Sequence, residues 1–158
     1  MQSTNTTNEM SNEVKVKLTL SIFWTMVLFN YIYADIFTFV YIFINPLLFE
    51  KFQTGSFGSL HITKEFMLPA AAFMEISIAM VLLSWVLPYG LNRWANILSG
   101  LIMTAVIIFT LAGTLRAPDM SFYVFFQVIE ILSTAVIVWI ALTWRNPRNR
   151  KRSDRAEN

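Results

Sequence analysis

Three acidic residues, Asp35, Glu75 and Glu130, lie inside long apolar stretches of the chain. A charged side chain at the middle of a bilayer costs at least ~2.5–3.5 kcal/mol, so such residues are rare and usually face the interior of a helix bundle. The stretches that carry these acids contain no Lys or Arg to pair with them. Such acids can hold a proton, bind a cation or accept hydrogen bonds from an amine, and two together can act as acid and base.

Helical spacing gives each acid polar or small neighbours. Residues three or four positions apart share one helix face, and these neighbours are Gln127 and Thr134 for Glu130, Tyr31 for Asp35, and Ala71 and Ala79 for Glu75. We predict that Glu75 and Glu130 form a pair near the midplane, with Asp35 nearer the outer surface. The predicted ligand-binding residues are therefore these three acids, with Gln127 and Tyr31 in support.

A simpler interpretation applies to each acid. A protonated Glu75 or Glu130 can hold two helices together by a hydrogen bond, and Asp35 can be an interfacial residue if the first helix leaves the bilayer there.

Four apolar stretches are long enough to position these acids in a membrane. A spanning helix needs about 20 mostly apolar residues, and residues 18–43, 66–87, 94–115 and 122–144 meet this length. We predict an all-α, integral membrane four-helix bundle over residues 18–144. Residues 1–17 are predicted to be a disordered cytoplasmic tail, and residues 145–158 a basic cytoplasmic tail.

Composition excludes several other classes of protein. The chain is 56% hydrophobic and 14% charged, whereas soluble domains are about 45–50% apolar and about 25% charged. It has no Cys and one His, which excludes disulfides, thiolate metal sites and multi-histidine sites. We therefore predict no metal and no cofactor. The basic tail is expected to fix topology and contact anionic lipid rather than nucleic acid.

The distribution of basic residues predicts the orientation. The N-terminal flank, the second loop and the C-terminal tail together carry nine Lys and Arg, and the other side carries three, Lys51, Lys64 and Arg116. Both termini are therefore predicted to be cytoplasmic, in a bacterial inner membrane. The five tryptophans are expected at the cytoplasmic headgroup boundary, and residues 44–65 are expected to form a loop on the outer surface.

Three stretches resemble a known family: residues 30–35 (NYIYAD), 73–80 (FMEISIAM) and 92–96 (NRWAN). They are similar to a family of small bacterial four-span membrane proteins that is catalogued as a domain of unknown function, over about residues 14–145. More distantly, the plan resembles the DoxX-like group, some of whose members are subunits of quinone-linked oxidoreductases. Only Glu75 carries over as a position, because Ala79 stands where that group has glycine and the first span has no Arg.

The sequence leaves several functions open. The leading hypothesis is a carboxylate-lined pocket that binds a lipophilic or cationic small molecule. The alternatives are a proton-coupled transporter acting as a homodimer, a membrane isomerase that uses Glu75 and Glu130 as acid and base, and an accessory subunit of a quinone-linked complex. A binding or transport role is favoured over an enzyme.

Overall fold

The computed structural model describes residues 2–57, 60–61, 63–115 and 121–145. These residues form five helices and two short paired strands, in the chain order α1 (Gln2–Ile44), α2 (Pro46–Gln53), β1 (Ser56–Phe57), β2 (Leu60–His61), α3 (Lys64–Val86), α4 (Tyr89–Thr114) and α5 (Ser121–Thr143). The two strands are antiparallel and two residues long. The predicted all-α class is thus confirmed.

Four of the helices are long and apolar enough to cross a membrane, as the sequence predicts. Their candidate spans are Asn12–Ile44, Met67–Val86, Tyr89–Thr114 and Ser121–Thr143. Helix α1 packs against α3 and α5, and α4 packs against α3 and α5, so the four spans form a bundle.

The N-terminal segment differs from the prediction of a disordered tail over residues 1–17. Helix α1 begins at Gln2 and continues into the first span without a break. Glu13 and Lys17 form an i,i+4 ion pair of 3.2 Å, and Val16 packs against the bundle core. Helix α1 therefore begins before residue 18, the predicted start of the first span. The ion pair and the packing of Val16 both stabilise helix in the segment just before that residue.

The segment after α1, which is predicted to be a surface loop, contains α2. The Asn45 side chain caps this helix by accepting a hydrogen bond from the backbone N–H of Leu48, and Pro46 follows at the first helical position. Phe49 of α2 packs against Phe43 at a centroid distance of 5.5 Å. Helix α2 therefore folds back onto the end of α1.

Small and hydroxylated residues bring α4 and α5 close together. A Cβ atom at Gly100 would lie 2.6 Å from Cγ2 of Val138, so only glycine allows this approach. One turn further along α4, the hydroxyls of Thr104 and Thr134 are 2.8 Å apart. The Gly100 face of α4 is thus used within the chain.

Two of the five tryptophans are buried among the helices. Trp24 is fully buried and Trp144 is 7% exposed, whereas Trp85, Trp94 and Trp139 are exposed. Trp24 donates a hydrogen bond of 2.7 Å to Asn96, which gives its indole N–H a partner inside the bundle. Trp24 and Trp144 therefore pack inside the bundle, and the depth of the five rings at the cytoplasmic boundary stays a prediction.

Candidate functional site

Glu130 lies inside the bundle near the middle of α5. It is the tenth of the 23 residues in this helix, and 3% of its surface is exposed. The side-chain amide of Asn30 in α1 donates a hydrogen bond of 2.9 Å to Oε1 of Glu130. Among the described residues no other side chain donates to this carboxyl group and none forms an ion pair with it. Glu130 is therefore a buried acid whose recorded partner is neutral.

Asp35 lies on α1, half-buried and closer to the end of that helix. It lies within electrostatic range of Glu130 and of the two tyrosines Tyr31 and Tyr123. Within the part of the chain that the structure describes, its carboxyl group has no hydrogen bond or ion pair. Two acids and two phenols on α1 and α5 thus lie within electrostatic range of one another, and with Asn30 we call them the carboxylate site.

The buried hydroxyl of Tyr31 has no hydrogen-bond partner among the residues that the structure describes. The residue is 8% exposed, and its ring packs edge-on against Phe73 at 5.9 Å. No hydrogen bond to the hydroxyl is found in the described residues. A buried polar group without a partner costs about 1–3 kcal/mol. A ligand that hydrogen-bonds to Tyr31 would remove this cost.

Gln127 adjoins the carboxylate site one turn before Glu130 and is 2% exposed. Its amide nitrogen donates a hydrogen bond of 3.0 Å to the hydroxyl of Thr110 in α4. Its side-chain oxygen is buried and has no partner in the described residues. The Gln127 side-chain oxygen is therefore an acceptor available at the depth of the carboxylate site.

The structure does not bring Glu75 together with Glu130. Glu75 is exposed on the outer side of α3, whereas Ser77, two residues later, is fully buried. Two residues correspond to about 200° of rotation around an α-helix, so these side chains point in opposite directions. Of the five residues predicted for the site, four lie in or beside the carboxylate site, and Glu75 lies outside the bundle.

Sequence reasoning missed Asn30 and Tyr123. Asn30 lies off the helix face shared by Tyr31 and Asp35, so only the pairing of α1 with α5 reveals its contact with Glu130. Tyr123 precedes Glu130 by seven residues, which is two helical turns along the same face. That spacing was a usable signal for Tyr123.

A second buried polar cluster, at the contact of α1, α3 and α4, has its hydrogen bonds satisfied. Asn96 accepts hydrogen bonds from Trp24 and Ser84 and donates two to Asn92. Asn92 in turn donates to the backbone oxygen of Ser84 at 2.6 Å. Because each amide is paired, this cluster fixes helix packing and offers no free group to a ligand.

The carboxylate site contains acidic and phenolic groups but no basic group. It combines two carboxyl groups and two phenols with no Lys or Arg among its residues. Two nearby carboxyl groups in an apolar environment cannot both ionise cheaply, so a proton or a cation stabilises the pair. In the described residues no three His, Asp or Glu side chains converge as metal ligands.

Comparison with known families identifies the chain at the level of a family. The model of a family of unknown function, DUF6326, matches residues 9–150. The chain belongs to the DUF6326 family. This match confirms the predicted family of unknown function, while the DoxX-like resemblance stays a prediction. No curated protein and no solved structure matches this DUF6326 protein significantly.

Proposed function

We propose that this DUF6326 protein binds a lipophilic cation at the carboxylate site, inside the membrane. The observation that carries this proposal is the environment of Glu130, which is 3% exposed and receives its hydrogen bond from the neutral amide of Asn30. Asp35 adds a second acid within electrostatic range. The site thus has an excess of acidic groups that no described basic side chain pairs with.

The surroundings of the acids favour a ligand with apolar surface over a small hydrated ion. Phe73 packs on the ring of Tyr31, and Phe37 packs on Phe126 one turn before Glu130, at 5.8 Å. Aromatic rings attract cations through their faces and also bury apolar groups. An organic ammonium or phosphonium ion has both the charge and the apolar surface that this environment suits.

The unpaired oxygens of Tyr31 and Gln127 are consistent with a polar group on the ligand. Both are buried, and neither has a partner in the described part of the chain. An amine or hydroxyl on the ligand could donate a hydrogen bond to one of these oxygens. The oxygen is already buried, so binding adds little to its desolvation cost.

The orientation supports access from the outer side of a bacterial inner membrane. With both termini cytoplasmic, α1 runs outward and Asp35 lies between Glu130 and the outer end of the helix. The excess of nine basic residues against three supports this orientation. A ligand would then reach Asp35 before Glu130.

The other hypotheses differ in what supports them. Proton-coupled transport needs the same acids and a second access route, so it is an extension of binding at this site. The isomerase hypothesis required Glu75 and Glu130 on one substrate, and the exposed position of Glu75 gives that pairing no support. An accessory role in a quinone-linked complex has no specific contact in its favour.

Thermal unfolding in detergent tests the proposal with tetraphenylphosphonium as the probe. A ligand at 100 times its Kd stabilises the folded state by about 2.7 kcal/mol, so the wild type is expected to gain several degrees in Tm. Glu130→Gln should lose most of this gain, and the matched control Glu75→Gln should keep it.

Equal gains in the wild type and in Glu130→Gln would contradict the proposal, and so would the absence of any gain in the wild type. If Glu130→Gln fails to fold, Asp35→Asn replaces it, because Asp35 has no hydrogen bond to lose in the described residues.

A further inference from the structure

The outer face of α3 carries an acid that has no partner among the residues that the structure describes. Glu75 is exposed, and it is close to the middle of the span Met67–Val86. No hydrogen bond or ion pair to it occurs among the described residues. The residues three, four or seven positions away share its face and are all exposed: Leu68, Ala71, Ala72, Ile78, Ala79 and Leu82.

Helix α3 lies at an edge of the bundle. It is the least buried of the four spans, and its buried side, with Ser77, Met80 and Ser84, faces α1 and α4. The Glu75 face therefore points away from the rest of the chain. We call this set, Glu75 with its six exposed neighbours, the α3 outer face.

Lipid is a poor covering for this face. Acyl chains offer no hydrogen bond, so a carboxyl group exposed to them near the midplane is costly whether ionised or protonated. A partner must therefore bring a hydrogen-bonding group to the same depth. Residues 67–86 contain no Lys or Arg. If the partner is a second copy of this chain that contributes its own α3, the group opposite Glu75 is therefore neutral or acidic.

We propose that the α3 outer face is the contact between two copies of this chain, with Glu75 opposite Glu75 across a two-fold axis. A two-fold contact is self-complementary, so each residue near the axis meets its own copy. A protonated carboxyl group is both a donor and an acceptor, so two of them satisfy each other. Ala71, Ala72 and Ala79 leave the space for two helices to approach closely. This proposal does not depend on the carboxylate site.

Oxidative cross-linking in membranes tests the contact, because the natural chain has no cysteine. Ala79→Cys places a single thiol on the α3 outer face. Ala105→Cys is the matched control, since Ala105 is also an exposed alanine in the apolar part of a span, in α4. A disulfide needs Cα atoms within about 7 Å, so only Ala79→Cys is expected to form a dimer of twice the chain mass.

Self-association of detergent-solubilised protein tests the role of Glu75 itself. Glu75→Gln keeps a donor and an acceptor and should dimerise like the wild type, whereas Glu75→Leu should associate at least tenfold more weakly. The proposal is overturned if Ala79→Cys gives no cross-link or joins a different protein, if Ala105→Cys links equally well, or if Glu75→Leu dimerises like the wild type. The cross-linking arm holds even if Glu75→Leu fails to fold.

Discussion

Asn30 joins α1 to α5 through a single amide group: it donates to Oε1 of Glu130 and to the backbone oxygen of Phe126, both at 2.9 Å. An amide nitrogen has two hydrogens, so both donors are used on α5. The contact fixes the position of Glu130 relative to Tyr31 and Asp35, which follow Asn30 on α1. Asn30 is therefore a positioning residue of the carboxylate site.

We predict that Asn30→Leu destabilises the protein and that a second change restores part of the loss. Removing the donor leaves the Glu130 carboxyl group unpaired, at a cost of about 1–3 kcal/mol, whereas replacing both partners by apolar groups is close to neutral. The free energy of unfolding should thus fall in Asn30→Leu and recover partly in Asn30→Leu with Glu130→Leu. Strictly additive effects in this double-mutant cycle would show that the two residues are not coupled.

Tyr31→Phe should separate stability from binding. The substitution removes a buried hydroxyl that has no partner in the described residues, so the Tm of the free protein should stay the same or rise. Binding of a primary or secondary organic ammonium ion should weaken, because its N–H can donate to the Tyr31 hydroxyl, whereas binding of tetraphenylphosphonium, which has no N–H or O–H, should change little. A drop in Tm with unchanged binding would mean that the hydroxyl serves the fold.

Two glycines of α4 provide a controlled test of the packing on α5. Gly100→Ala puts a Cβ atom 2.6 Å from Val138 Cγ2 and should cost about 1–3 kcal/mol, as over-packing does. Gly90 has no atom within 4 Å of the added Cβ, so Gly90→Ala should be neutral or slightly stabilising. Thermal unfolding of both variants measures the difference, and equal Tm values would contradict this packing.

The orientation predicts which introduced cysteines an impermeant maleimide reaches. Thr54 follows α2 on the proposed outer side, and Asn12 lies near the start of the first span; both are exposed. In spheroplasts, whose outer membrane has been removed and whose inner membrane is intact, the maleimide should label Thr54→Cys. It should label Asn12→Cys only after the inner membrane is permeabilised. The reverse pattern would invert the topology and place access to Asp35 on the cytoplasmic side.

The sequence predicts the four spans well because a helix needs about 20 consecutive, mostly apolar residues to cross a bilayer, and stretches of this length are easily recognised. It also predicts that Glu130 faces the bundle interior, since Gln127 and Thr134 form a polar stripe with it on an otherwise apolar helix. All three side chains are buried. It does not predict the inner side of α3, because α3 is apolar all round and a single acid does not mark a direction.

Pairing between distant helices is the other source of error. Asn30 was missed because its contact with Glu130 spans one hundred residues of sequence. Trp24 was expected at a headgroup boundary, and the hydrogen bond from its indole N–H to the amide of Asn96 inside the bundle was not predicted. Residues 44–65 were expected to form a loop, but Asn45 caps the helix α2 and Pro46 begins it.

Titration calorimetry of the purified protein with tetraphenylphosphonium tests the central claim most directly. The account predicts saturable binding of one cation per carboxylate site in the wild type. It predicts a Kd at least tenfold weaker in the double variant Asp35→Asn, Glu130→Gln, which corresponds to about 1.4 kcal/mol. A folded double variant that binds as tightly as the wild type, or a wild type without saturable binding, would contradict the account.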